Sequence, residues 1–290
     1  MKLPIVIRAL RPHQWLKNVL VSIPAIAAHN LGLNTLVGVF LAFLAFSLSA
    51  SAAYVLNDIL DLEHDRRHPT KKNRPIAAGC LTRAQGVGLA ICLLASALFI
   101  AFTLPRAFLL ALCIYFALAA AYSAVLKRLL MIDVVVLASL YGLRVVAGGA
   151  AVNIRISEWL IGFCVFFFLS LALVKRATEL KGLSNESYAQ LAGRSYQIKD
   201  LNPLQSLASA AGFVSVLVLA LYLKSEEVRV LYRHPEALWG VVLILAFWIG
   251  RIILVTGRGE MHDDPVVFAL TDKVSIASAL TAALVFVLAT

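Results

Sequence analysis

Nine stretches of mainly apolar residues, roughly 16–30, 34–62, 84–104, 107–125, 129–151, 157–174, 203–223, 236–255 and 272–289, alternate with short polar segments. A membrane-crossing helix needs about 20 such residues. The pattern therefore predicts an all-α, polytopic membrane protein of about nine transmembrane helices, a single domain over 1–290. No small-residue cleavage site follows the first stretch, so it reads as a span rather than a removable leader. With the N-terminus inside, segments 1–17, 63–83, 125–131, 175–202 and 251–273 hold 20 Lys and Arg. The outer loops hold five: Arg106, Arg155, Lys224, Arg229 and Arg233. This bias places the N-terminus on the cytoplasmic side of the plasma membrane. It puts the loops 57–83 and 175–202 there too. Of 16 Asp and Glu, only Glu158, Glu226, Glu227 and Glu236 fall outside. Acids have little influence on topology, so their surplus inside points to a site.

Composition narrows the class. The chain is 61% hydrophobic and 14% charged, where a soluble domain has about 45–50% and about 25%. A water-soluble globule is excluded. Cys80, Cys92, Cys113 and Cys164 lie in or beside apolar runs without CxxC spacing, which argues for reduced structural thiols rather than disulfides or zinc. The net charge of +10 is spread over loops facing the membrane, with no recognition module. Its partners are the membrane and phosphate, not nucleic acid.

The second stretch ends in Asn57-Asp58-Ile59-Leu60-Asp61-Leu62-Glu63-His64-Asp65. On a helix Asn57, Asp61 and Asp65 recur every four residues, and Asp58 precedes Asp61 by three, so four oxygen-bearing side chains share one face. Like charges so spaced repel, and carboxylates beginning inside an apolar run are costly. Hard oxygen donors facing one way suit Mg²⁺, which binds through one or two carboxylates plus substrate phosphates. The alternative is a solvated, helix-ending patch. Arg66, Arg67, His68, Lys71, Lys72 and Arg74 follow at once. Acids for a metal and cations for the remaining oxygens form the arrangement a polyphosphate needs; an ordinary basic loop on lipid headgroups is the simpler reading.

The segment Asn57-Asp58-x-x-Asp61-x-x-x-Asp65-Arg66 resembles the first signature of the UbiA superfamily of intramembrane prenyltransferases. The resemblance implies a helical bundle with a lateral, membrane-open cavity and a diphosphate held through Mg²⁺ at its cytoplasmic end. Where aromatic prenyltransferases of that superfamily carry a second Asp-rich motif, this chain has Lys175-Arg176-Ala177-Thr178-Glu179-Leu180-Lys181. Two cations and one acid make no carboxylate cage but can bind phosphate directly. The chain is similar in this to the decaprenyl-phosphate phosphoribosyltransferase branch. Further matches are Arg11-Pro12-x-Gln14-Trp15-x-Lys17-Asn18, the 57–79 block, Tyr122, Leu126-Lys127, Leu143-Arg144-x-x-Ala147-Gly148 and, more loosely, Asp264 and Asp272.

That resemblance implies a metal site of Asn57, Asp58, Asp61 and Asp65, with Asp61 and Asp65 catalytic. It implies a 5-phosphoribosyl diphosphate site of Arg66, Lys71, Arg74, Tyr122, Lys127, Lys175, Arg176 and Glu179, and a polyprenyl phosphate headgroup on Lys17 and Arg144. Several of these residues carry a second reading. Lys17, Lys127 and Arg128 are equally membrane anchors, and Tyr122 an interfacial aromatic. Arg144 sits among Leu143, Val145 and Val146, and an intramembrane cation faces a cavity or pairs with an acid; Asp133, about three turns away, is too distant to pair. Gly142, Gly148 and Gly149 suit close helix packing. His64 and His68 suit a polar loop. Residues 260–264 are a surface turn or a lid, and 182–203 are the best candidate for a mobile cover. Three functions compete: phosphoribosyl transfer to a polyprenyl phosphate, prenyl transfer from a diphosphate to a lipophilic acceptor, and transport or binding of lipid phosphates. Oligomeric state stays open, a homo-oligomer included.

Overall fold

The computed structural model describes residues 4–67, 70–182, 194–261 and 264–289. The expected positions of His68, His262 and most of the 182–203 cover lie outside the described residues. The chain opens with α1 (Ile5–Leu10), a 3₁₀ segment Pro12–Ser22 and α2 (Ile23–Ala27). The long helix α3 (Leu33–Leu60) follows, then α4 (Leu62–Arg67), α5 (Arg83–Ala101), α6 (Arg106–Ala124) and α7 (Ile132–Ala151). The remainder is α8 (Glu158–Lys181), α9 (Leu201–Tyr222), α10 (Glu226–Leu231), α11 (Trp239–Arg258), α12 (Pro265–Thr271) and α13 (Lys273–Ala289).

Among the described residues, seven helical segments are long and apolar enough to cross a membrane. An eighth is possible if α12 and α13, bent by 76° at Asp272, count as one broken span. The nine expected spans are therefore reduced to seven, or to eight with the bent pair, and the first stretch supplies none of them. The stretch folds as the end of a 3₁₀ segment followed by the short α2, Pro24 supplies no N–H at the junction, and its polar residues Lys17 and Asn18 are buried. The apolar exterior of the other helices agrees with a lipid environment: Phe40, Phe99, Phe102 and Leu243 are all more than 60% exposed.

Two compact units emerge. Unit 1 is Met1–Val136 with Leu140–Ile156, and unit 2 is Leu137–Ser139 with Ser157–Thr290. The core of unit 1 gathers Ala42, Ala45, Ala50, Ala97 and Ala101 around Phe46, Phe108 and Tyr115. Small residues let helix backbones approach closely where no hydrophobic effect drives helices together. Phe46 meets Phe108 edge-on with ring centroids 5.9 Å apart. Unit 2 has a cluster of Leu223, Val228, Tyr232, Leu238 and Val242.

The tightest backbone approach in unit 1 sits at Gly148 on α7, where an added Cβ would stand 2.0 Å from the Val21 carbonyl oxygen. A side chain can rotate away but a carbonyl cannot. Gly148→Ala is therefore expected to destabilise the protein by about 3 kcal/mol, read as a lower melting temperature in detergent. Gly142, grouped with it in the sequence, has nothing within 4 Å of its Cβ position. It makes no close packing contact, and Gly142→Ala is expected to leave the melting temperature unchanged or raise it.

Candidate active site

The acidic residues line up because α3 does not truly end at Leu60. Asp61 N–H donates to the Asn57 carbonyl (2.9 Å) and Asp65 N–H to that of Asp61 (2.8 Å). The i, i+4 rhythm thus crosses the joint from α3 into α4, and Asn57, Asp61 and Asp65 stay in register as the sequence predicts. Asp58 and Asp65 are buried, at 4% and 3% exposure. Such carboxylates need charged partners, and the chain supplies them from distant positions. Arg11 Nη2 lies 2.5 Å from Asp58 Oδ1. Arg74 Nη1 bridges Asp58 Oδ1 (3.1 Å) and Asp65 Oδ2 (2.6 Å). Lys127 Nζ reaches both oxygens of Asp61 at 2.6 Å and Asn57 Oδ1 at 3.3 Å. Three carboxylates meet three cations, so the cluster is neutral as it stands.

This pairing bears on the metal. Among the described residues no group of three or more His, Cys, Asp or Glu is arranged to hold a metal ion, because each carboxylate already faces a cation. The donor chemistry nevertheless fits a hard divalent ion, being carboxylate and amide oxygen throughout. Arg74 bridges Asp58 and Asp65 as such an ion would, so its guanidinium marks where a cation is accepted.

The other expected ligands divide. Arg74 and Lys127 are in the cluster. Arg66 is half-exposed and turned to Glu63 (3.5 Å), which Arg83 also meets (3.3 Å); it is not gathered with the acids. Lys71 is exposed on a 3₁₀ turn, and Tyr122 is half-buried in the last turn of α6. His64 is exposed. Glycine conformation matters in this loop only at Gly79, whose φ of 74° closes the turn after Ala78.

Deeper in unit 1, Arg144 lies twelve residues into α7, about 18 Å along the helix, and is 4% exposed. Its Nε donates to Asn18 Oδ1 (2.8 Å), Nη1 to the Leu140 carbonyl (2.5 Å) and Nη2 to the Tyr115 hydroxyl (2.9 Å). The guanidinium also lies over the rings of Tyr115 (4.8 Å) and Tyr141 (5.6 Å). Lys17, likewise buried, stands 5.9 Å from the Tyr141 ring. All three acceptors of Arg144 are neutral, so its charge is solvated and not cancelled.

In unit 2, Lys175 Nζ lies 2.8 Å from Asp264 Oδ2. Asp264 Oδ1 also accepts from Val266 N–H and so starts α12. The fully buried Arg176 pairs with Glu179 one turn on, and Arg194 Nε approaches the same carboxylate at 3.6 Å. Arg251 grips Asp272 with two nitrogens, at 2.7 and 3.1 Å, and Asp272 also accepts from Ser275 N–H at the start of α13. Residues 260–264 therefore supply Lys175 with its acid through Asp264, a pairing that sequence spacing did not reveal. Arg11, Tyr115 and Tyr141 were also missed as site residues. Arg11 stood in the Arg-Pro motif as a visible signal; the tyrosines, set in apolar helices, resembled ordinary core aromatics.

The described residues thus make a helical membrane protein with a buried acid–cation cluster at the joint of α3 and α4. The UbiA prenyltransferase family model matches residues 18–182, and the chain belongs to that family. It is 39% identical over 269 residues to the uncharacterized protein y4nM of Sinorhizobium fredii, covering 92% of this chain and 52% of that one. The chain thus spans about half the length of that relative. It is 32% identical to nodulation protein NoeC of Azorhizobium caulinodans, over 95% of this chain and 90% of that protein. Identity to the decaprenyl-phosphate phosphoribosyltransferase of Mycolicibacterium smegmatis is also 32%, over 92% and 86%. In fold, it resembles a UbiA homolog from Archaeoglobus fulgidus bound to GPP and Mg²⁺ (TM-score 0.74, 17% identity, 98% and 99% coverage).

Proposed function

We propose that the protein transfers 5-phosphoribose from 5-phosphoribosyl diphosphate to a polyprenyl phosphate, releasing diphosphate, at the cytoplasmic face of the plasma membrane. The observation that carries this reading is Lys175-Arg176-x-x-Glu179: cations stand where a prenyl diphosphate site would place its second set of acids. The relatives named as decaprenyl-phosphate phosphoribosyltransferases support it.

Asn57, Asp58, Asp61 and Asp65 hold Mg²⁺, and Asp61 and Asp65 are the catalytic carboxylates. When bound, the ion supplies charge neutralisation for the leaving diphosphate. Arg74 and Lys127 bind diphosphate oxygens, and Lys175 and Arg176 bind phosphate of the same donor. Arg66, Lys71, Tyr122 and Glu179 complete the donor's polar contacts. Arg144 and Lys17 draw the lipid phosphate, whose oxygen attacks the anomeric carbon as the bond to diphosphate breaks. The nucleophile is already ionised at neutral pH, so no strong base is needed.

The test is diphosphate release by protein in detergent with Mg²⁺. One reaction contains 5-phosphoribosyl diphosphate and polyprenyl phosphate, the other polyprenyl diphosphate and 4-hydroxybenzoate. Release is expected only in the first. Lys175→Ala is expected to raise the KM for 5-phosphoribosyl diphosphate by about 10- to 100-fold, the loss of a charge-assisted hydrogen bond. Release only in the second reaction would replace this reading with prenyl transfer.

A further inference from the structure

Arg11 brings the third cation to the cluster, but onto an oxygen that is already served. Asp58 Oδ1 already receives Arg74 at 3.1 Å, yet Arg11 comes to the same oxygen at 2.5 Å. Two guanidinium groups converge on one oxygen; Arg74 has a second carboxylate in Asp65 (2.6 Å), whereas Arg11 shares Asp58, so an arriving anion relieves Arg11 most. The Arg11 side chain is 17% exposed, and its guanidinium lies 5.3 Å from the Tyr54 ring centroid, which holds it at the cluster.

The backbone adds an independent observation. Arg11 follows the last residue of α1 with φ 53° and ψ 59°, the left-handed conformation in which helices usually end on glycine. A residue with a Cβ is disfavoured there, and such strain gathers at functional positions. The backbone asks for glycine, while the ion pair asks for arginine.

We infer that Arg11 is a diphosphate ligand stored on Asp58: without donor it helps Arg74 keep divalent metal off the acids, and it transfers to diphosphate when metal and donor arrive together. This rests on the acidic cluster being the metal and diphosphate site, but not on the donor being a phosphoribosyl one, since either transfer reaction releases diphosphate. Metal and diphosphate should accordingly bind with strong mutual enhancement, each freeing the groups that the other needs.

The experiment is Mn²⁺ binding followed by electron paramagnetic resonance on the full chain in detergent, with and without inorganic diphosphate. Wild-type protein is expected to bind Mn²⁺ weakly alone and at least tenfold more tightly with diphosphate. Arg11→Gly suits the left-handed backbone and is expected to fold normally. It should bind Mn²⁺ alone at least fivefold more tightly than wild type, and lose at least fivefold of the enhancement by diphosphate. Arg11→Lys, keeping the charge, should fall between. A merely structural Arg11 would weaken both affinities together, which overturns the inference, as does an Arg11→Gly protein that titrates like wild type. If wild-type protein binds no Mn²⁺ even with diphosphate, the metal-site reading itself fails and takes the inference with it.

Discussion

Asp61→Asn is expected to reduce diphosphate release about 1,000-fold per mole of folded protein, the scale lost when a charge aimed at a reacting phosphate is removed. Its effect should exceed those of the neighbouring acids because of where it stands. The Asp58 and Asp65 side chains are 4% and 5% exposed, whereas that of Asp61 is 22% exposed and is met by Lys127 alone among the cluster's cations. Asp61 is thus the carboxylate that an incoming ion reaches first. Asparagine keeps the volume and one oxygen, so packing should survive, but it leaves the neutral cluster with an excess positive charge. An unchanged size-exclusion profile would separate lost chemistry from lost fold. Activity above a tenth of wild type would remove Asp61 from the reaction.

The legible part of this protein was whatever a local period could encode. The i, i+4 spacing of Asn57, Asp61 and Asp65 survives because i→i+4 hydrogen bonds carry across the joint at Asp61. The long apolar stretches after the first became α3, α5 to α9, α11 and α13. What the sequence hid was pairing at a distance. Lys127 lies 66 residues from Asp61, and Lys175 lies 89 from Asp264; only folding selects those partners from among 26 cations. Arg66 shows the converse. It adjoins Asp65 in sequence, but in the last turn of α4 its guanidinium meets Glu63 rather than the cluster's carboxylates. The first span failed because apolar content was counted without Pro24 and without the buried polar pair Lys17 and Asn18.

Replacing Arg144 by leucine is expected to raise the KM for polyprenyl phosphate about 100-fold while shifting the KM for the soluble donor less than threefold. The size follows from losing a charge-assisted contact of about 2–3 kcal/mol. The sign of the stability change is what separates a ligand from a structural pin. Arg144 is a buried charge whose three hydrogen-bond acceptors are all neutral, so its own desolvation is only partly offset. An apolar side chain of similar volume there is often neutral or stabilising. Three acceptors lose a donor, but the Leu140 carbonyl belongs to a helix, and the Asn18 side chain stays anchored through its Nδ2, which donates to Ser47 Oγ at 3.1 Å. Arg144→Leu should therefore melt within a few degrees of wild type and still fail to capture lipid phosphate. Tyr115→Phe removes the hydroxyl acceptor but keeps the ring 4.8 Å from the guanidinium, so it should change lipid KM less than fivefold. Arg144→Lys retains the charge without the fork and should recover about a tenth of the affinity. A protein that melts far below wild type with its lipid KM intact would make Arg144 a pin joining α7 to the Pro12–Ser22 segment and α6, and would leave the headgroup to Lys17.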